Sequence, residues 1–216
     1  MLEYPKIETL YNRNEKTHSV IPGQLRLAEF DNIHRWQITE KIDGTNIRVG
    51  LSANGQVICN GRTDNAQLPG PLLSYLQATF TAEKLAAVFN TDDQGEVLLF
   101  GEGYGPKIQK GGIYRRDMAF RLFDVRVGPW WLEPDAIADV AAKLNIMTVP
   151  FLGEIDVLPQ TGDDLKTLLG NNGNSTVALQ DQGSGGRAEG IVARTAPLLL
   201  TRRGERLMWK LKFRDF

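Results

Sequence analysis

The chain has 216 residues, 42% of them hydrophobic and 24% charged, with a net charge of −1. This is the make-up of a soluble globular protein with room for a single core, and no apolar run reaches the roughly 18 residues of a membrane span. Cys59 is the only cysteine, which excludes an intramolecular disulfide and any zinc site with two cysteine ligands, so a cytoplasmic setting fits.

The opening Met1-Leu2-Glu3-Tyr4-Pro5-Lys6 lacks the basic and apolar regions of a signal peptide. Trp36–Lys41, Asn46–Leu51 and Gln56–Gly61 read as short strands, punctuated by the turn signals Asp43-Gly44 and Asn54-Gly55. From Pro71 to Phe89, apolar residues such as Leu72, Leu76, Phe80 and Leu85 recur at helical spacing. Strands follow at Glu96–Phe100 and Ala119–Val127, then a helix from Pro134 to Leu144 with proline in its first turn. Asp163 to Leu169 reads as a short helix, and the polar, glycine-rich stretch Asn171 to Gly186 as a mobile loop. Glu189–Arg194 and Leu207–Phe213 complete the strands. There is no βαβ rhythm and no linker. The expected fold is α+β, with mostly antiparallel sheets and flanking helices, in a single domain over residues 1–216.

Charge is segregated along the chain. Lys107, Lys110, Arg115, Arg116 and Arg121 form one basic segment, and Arg202, Arg203, Arg206, Lys210, Lys212 and Arg214 another; acid gathers at Asp92, Asp93 and Glu96 and from Glu154 to Asp164. Such a pattern can give a nearly neutral protein a positive face for nucleic acid, solvated surface charge being the plain alternative.

The most chemically suggestive stretch is Thr39-Glu40-Lys41-Ile42-Asp43-Gly44-Thr45-Asn46. Strand alternation would turn Lys41 and Asp43 to one face, and Gly44 permits a tight turn and close approach of a ligand. Lysine is a nucleophile only when neutral, a form that burial and nearby cations favour. Lys210 and Lys212 share a strand face and could supply those cations or hold phosphates. The alternative is a surface hairpin lysine paired with Asp43. Glu102, between Gly101 and Gly103 at the end of an apolar strand, has space beside its carboxylate for a ligand; the alternative is a loop glutamate in solvent.

These pieces occur in a recognisable order. Lys41-Ile42-Asp43-Gly44, Gly61-Arg62-Thr63, Phe100-Gly101-Glu102-Gly103, Phe120-Arg121-Leu122-Phe123-Asp124, Glu189-Gly190-Ile191-Val192 and Lys210-Leu211-Lys212 resemble the successive motifs of the covalent nucleotidyltransferases: DNA ligases, RNA ligases and capping enzymes. Glu40, Thr45-Asn46 and Gly101 through Gly111 resemble the second class of phage RNA ligases and the RNA-editing ligases in particular. The resemblance implies an ATP-grasp-like nucleotidyltransferase domain and an ATP-dependent RNA ligase that joins 3′-hydroxyl and 5′-phosphate ends through a lysyl-AMP. A DNA ligase, a capping guanylyltransferase and a non-catalytic nucleic-acid-binding module are the other readings.

The resemblance also implies roles. Lys41 is the nucleophile. Glu40, Arg62, Glu102, Phe120, Ile191, Lys210 and Lys212 bind ATP: Glu40 at the adenine amino group, Glu102 at the ribose, Phe120 stacked on the base, Ile191 or Val192 beneath it, and both lysines at phosphate. Asn46 and Arg62 meet the 5′-phosphate of nucleic acid, and Glu189 binds Mg2+ or Mn2+. The expected partner is nucleic acid, with no membrane, and the protein is expected to be a monomer. The chain stops four residues after Lys212, so no C-terminal OB-fold or helical domain is expected.

Overall fold

The computed structural model describes residues 1–52, 54–89 and 95–216; Asp92 and Asp93 lie outside the described residues. In chain order the strands are β1 (Glu8–Thr9), β2 (Tyr11–Arg13), β3 (Val20–Leu25), β4 (Trp36–Lys41), β5 (Thr45–Leu51), β6 (Val57–Asn60), β7 (Val97–Tyr104), β8 (Ala119–Val127), β9 (Trp130–Trp131), β10 (Met147–Thr148), β11 (Phe151–Ile155), β12 (Gly190–Thr195) and β13 (Met208–Lys212). The helices are α1 (Gly70–Thr79), α2 (Ala82–Val88), α3 (Pro134–Leu144), α4 (Gly162–Leu169) and α5 (Thr176–Gln180). The chain divides into two compact units: unit 1 is Met1–Tyr4 with Asp43–Val149, and unit 2 is Pro5–Ile42 with Pro150–Phe216. The fold is α+β with mostly antiparallel sheets, as expected; β1–β13 and β10–β8 are parallel pairs.

Unit 1 is built on a sheet of order β10-β8-β7-β5-β6, with β9 on β8. The Asn54-Gly55 turn sets the β5–β6 register: Gly55 has φ 78° and its N–H donates to the Ser52 carbonyl at 2.9 Å. One sheet face carries Ile47, Val49, Val97, Leu99, Phe120 and Leu122, which pack on Leu72, Leu76, Leu85, Ile137 and Val140 of the helices. The predicted helix over 71–89 is two helices. Thr81 interrupts it by capping α2, its side chain accepting from the Lys84 N–H at 3.3 Å.

The opposite sheet face holds a different kind of packing. The Tyr4 hydroxyl donates to buried Asp124 at 2.6 Å, and the Tyr4 ring meets Phe100 and Phe123 at 5.1 and 5.0 Å. Arg48 is fully buried there; its guanidinium donates to the carbonyls of Gly61 (2.7 Å) and Met1 (2.8 Å) and to Asp64 (2.8 Å). A buried guanidinium is tolerable because its donors are satisfied. Between Phe100↔Asp124 and Gly101↔Leu122 the β7–β8 register slips, a bulge at Phe123.

Unit 2 has a five-stranded sheet, β1-β13-β12-β4-β11, and a β2–β3 hairpin. One face of the sheet is apolar: Trp36, Ile38, Ile191, Ala193, Trp209 and Leu211 pack on Phe30, Leu10, and Leu165 and Leu169 of α4. The stretch 171–186, expected as a mobile loop, instead contains α5, capped by Ser175, whose hydroxyl accepts from the Ala178 N–H at 3.0 Å. Asn174 and Arg187 close the stretch with a β-bridge.

Gly101 shows how tightly unit 1 is closed. A Cβ there would lie 2.5 Å from the Arg121 carbonyl and overlap the Phe120 ring. Gly101→Ala should destabilise the protein by about 1–3 kcal/mol through overpacking, read as a lower urea midpoint. An unchanged midpoint would contradict this packing.

Candidate active site

Strand alternation in unit 2 sorts the predicted residues. Along β4, Trp36, Ile38 and Glu40 are buried, while Gln37, Thr39 and Lys41 take the other face. Pairing with β12 and β13 then lays out cross-strand rows: Lys41–Gly190–Lys212, and behind it Thr39–Val192–Lys210. Lys41, Lys210 and Lys212 therefore share one sheet face. Gly190 is the only residue that fits between the two lysines of the first row, because a Cβ there would come 2.7 Å from Lys212 Cα and closer still to the Leu211 carbonyl.

Glu189 precedes that glycine and joins the row. Its Oε1 accepts a hydrogen bond from Lys212 Nζ, and its Oε2 lies 2.8 Å from Lys41 Nζ, a charge contact without hydrogen-bond alignment. Its side chain is only 9% exposed. Burial raises the pKa of such a carboxyl, but here the two ammonium groups outweigh it and hold Glu189 below the usual carboxylate range. The result is a carboxylate clamped by two lysines.

Two residues expected beside Lys41 lie on the opposite face. Glu40 is buried and caps α5: its carboxylate accepts from Ser175 Oγ at 2.5 Å and from the N–H groups of Thr176 and Val177 at 2.8 and 3.2 Å. Ile191 is fully buried in the apolar core, and Val192, one residue on, has the parity of the lysines. Asp43 does not share a strand face with Lys41, because β4 ends at Lys41; the Asp43 N–H instead donates to the Tyr114 hydroxyl at 2.9 Å.

In unit 1, Asn46, Glu102 and Arg121 form a cross-strand row over β5, β7 and β8. Arg121 is buried and donates to the Tyr104 hydroxyl (3.0 Å) and the Thr148 carbonyl (3.1 Å). The Asn46 side-chain oxygen is buried with no hydrogen-bond partner, an unmet acceptor of the kind that calls for an explanation. Gly44 lets this row close: a Cβ there would lie 2.9 Å from the Glu102 side chain. Arg62 is exposed just beyond Gly61, the residue whose carbonyl Arg48 holds. Phe120 is not available for stacking on a base. It is 3% exposed in the helix-covered core, edge-on to Phe80 at 5.1 Å, on the face away from Glu102. Lys107, Gln109 and Lys110 are exposed on a loop pinned beneath by buried Ile108.

Sequence reasoning missed Ser175, which holds Glu40 from behind the lysine face, and Arg48, buried on the same sheet face as Asn46; the choice it left between Ile191 and Val192 is decided by the register with β4. No group of three or more histidine, cysteine, aspartate or glutamate side chains among the described residues could hold a metal ion. Glu189, the carboxylate expected to bind Mg2+ or Mn2+, has both oxygens against ammonium groups, though a carboxylate oxygen is the donor type a hard cation takes. Cys59 offers no nucleophile, burial pushing its thiol up to about 11. No helix among the described residues is long and apolar enough to cross a membrane.

Because the pKa of Glu189 is depressed in the folded state, its contribution to stability is present above the unfolded-state value and lost as pH falls through the folded value. Glu189→Gln should therefore flatten the loss of thermal midpoint on acidification, and an acid limb as steep as in the unsubstituted protein would refute the clamp. Glu40→Ala, which strips α5 of its acceptor and leaves buried donors unmet, should cost about 1–3 kcal/mol in urea unfolding. A midpoint within error of the unsubstituted protein would remove that capping role.

Comparison with known proteins bears on the fold and the family. The chain is similar in structure to a variant of Naegleria gruberi RNA ligase with ATP and Mn, at 15% identity and a TM-score of 0.63, covering 98% of this chain and 56% of that one. A second Naegleria gruberi RNA ligase variant, with AMP and Mn, gives 15% identity and 0.62, with the same coverage. An archaeal ATP-dependent RNA ligase gives 16% and 0.59, covering 97% of this chain and 48% of that one. The chain thus spans about half the length of these solved structures. No curated protein sequence matches it. The family model described as RNA ligase matches residues 34–212, and the chain belongs to that RNA ligase family.

Proposed function

We propose that this protein is an ATP-dependent RNA ligase that joins a 3′-hydroxyl to a 5′-phosphate, working in the cytoplasm as a monomer, with residues of both units serving as one nucleotidyltransferase domain. The observation that carries the reading is the Lys41–Glu189–Lys212 cluster on one sheet face, with Lys210 in the next row. Family membership and the solved ligases with ATP or AMP and Mn support it.

In the first step the neutral amine of Lys41 forms a bond to the α-phosphorus of ATP. The bond from that phosphorus to the bridging oxygen breaks, pyrophosphate leaves with the electron pair, and the amine loses its proton. A 5′-phosphate oxygen then attacks the lysyl-AMP, and Lys41 recovers its electron pair and a proton. The 3′-hydroxyl oxygen next attacks the activated 5′-phosphorus and AMP departs.

The chain's own groups suit these demands. The carboxylate of Glu189 favours the ammonium form of Lys41, while Lys212 competes for that carboxylate and Lys210 adds positive charge; both changes favour the free amine. The same lysines offset charge that builds on the transferring phosphoryl group. Glu189 would hold the divalent metal, which when bound neutralises phosphate charge. Glu102 serves the ribose, and Asn46 and Arg62 receive the 5′-phosphate end, to which a guanidinium fork is suited.

Incubation with labelled ATP and Mg2+ should give an acid-labile protein–AMP adduct, absent in Lys41→Ala and in Lys41→Arg, whose guanidinium stays protonated. Absence of label from protein verified to be free of AMP would overturn the enzyme reading. Label retained in Lys41→Ala would overturn the assignment of the nucleophile. Sealing of nicked RNA should exceed sealing of nicked DNA, and the reverse preference would reassign the substrate.

A further inference from the structure

Phe120, the aromatic expected to meet the base, is sealed in the core of unit 1. Unit 2 supplies another. Phe151 opens β11 and pairs with Thr39 of β4, so it belongs to the row Phe151–Thr39–Val192–Lys210, on the lysine face. A bulge between Phe151 and Gly153 shifts the register; beyond it Glu154 lies on the lysine face, accepting from the Gln37 side chain at 3.2 Å, while Leu152 and Ile155 pack on the apolar core. The backbone at Phe151 is fixed, since the preceding Pro150 carbonyl accepts from the Glu40 N–H at 3.0 Å. The ring itself is 60% exposed. Its position beside the lysine row leaves the ring's face open to a flat ligand.

The layout around it has polarity. Lys41, Glu189 and Lys212 stand at one end of the sheet face. The Phe151 row lies two residues back along β4, about 6.6 Å away at the usual strand rise. That row runs from an aromatic ring through Thr39 and the aliphatic Val192 to a third lysine. Charge that suits phosphates therefore adjoins an uncharged strip that suits a flat ring.

We propose that Phe151 is a base-contacting residue, its ring meeting the purine of the ATP whose phosphates lie at Lys41 and Lys212. Val192 and Thr39 floor the same strip. The inference rests on the nucleotide reading above.

The test compares equilibrium binding of ATP and of ribose 5-triphosphate, which lacks the base, to the full unsubstituted chain and to Phe151→Ala and Phe151→Trp, alongside label transfer from ATP. Phe151→Ala should raise the Kd for ATP about tenfold, within the range typical of base–aromatic stacking, and leave ribose 5-triphosphate unchanged. Phe151→Trp should restore ATP affinity. The proposal is overturned if Phe151→Ala leaves ATP affinity intact, if it weakens both ligands equally, or if it weakens only the sealing of RNA ends, which would make Phe151 a contact for an RNA base. Base-dependent ATP binding without label transfer would sustain the contact and sink the ligase reading. Label transfer indifferent to Phe151 would do the opposite.

Discussion

The candidate site depends on a single absence, the missing side chain at position 190. β12 runs between β4 and β13, and Gly190 is the point where the strands bring Lys41 and Lys212 into one row. Any Cβ there would strike the neighbouring strand. Without one, the carboxylate of Glu189 reaches both ammonium groups and is itself largely withdrawn from water. Two cations and one anion in so little space leave a net positive cluster, the electrostatic form that suits a phosphate.

The two faces of the unit 2 sheet divide the labour. Tryptophans, leucines and isoleucines on one side set the strands' register through close packing. That register alone decides which residues project from the other side, because a slip of one residue would exchange Lys41 for Glu40. Glu40 strengthens the choice. Its carboxylate is held by Ser175 and by donors of α5, so the anion next to Lys41 in the chain locks the strand from the opposite face.

Much of this was legible in the chain. Local signals located β4, β8 and α3 to the residue, because turn glycines and the proline at the helix start mark their ends. The ordered motifs singled out Lys41, Glu189, Lys210 and Lys212, and the strand pairing puts the three lysines on one face. What escaped was set by non-local pairing. The short strands at the N-terminus have little pattern of their own and are held by β13 or by each other. Ile191 and Val192 look alike in sequence, and only the partner strand turns one inward. Phe120 carries no mark of burial until α1 and Phe80 cover it. The polar stretch after Asn171 resembled a loop because its order comes from Ser175 and from a glutamate 135 residues away.

The interleaving of the two units bears on how the chain is made. Unit 1 is complete once Val149 has left the ribosome, whereas unit 2 has by then only its first part, Pro5–Ile42. During those several seconds of translation, at roughly 5–20 residues per second, β4 has neither β12 nor β13 beside it, and Trp36 and Ile38 lack the partners that bury them. The sheet that carries Lys41 thus assembles only after all of unit 1 has been made. A nascent chain halted in that interval would expose an unpaired apolar strand, a natural target for chaperones and proteases, and would have no assembled lysine face.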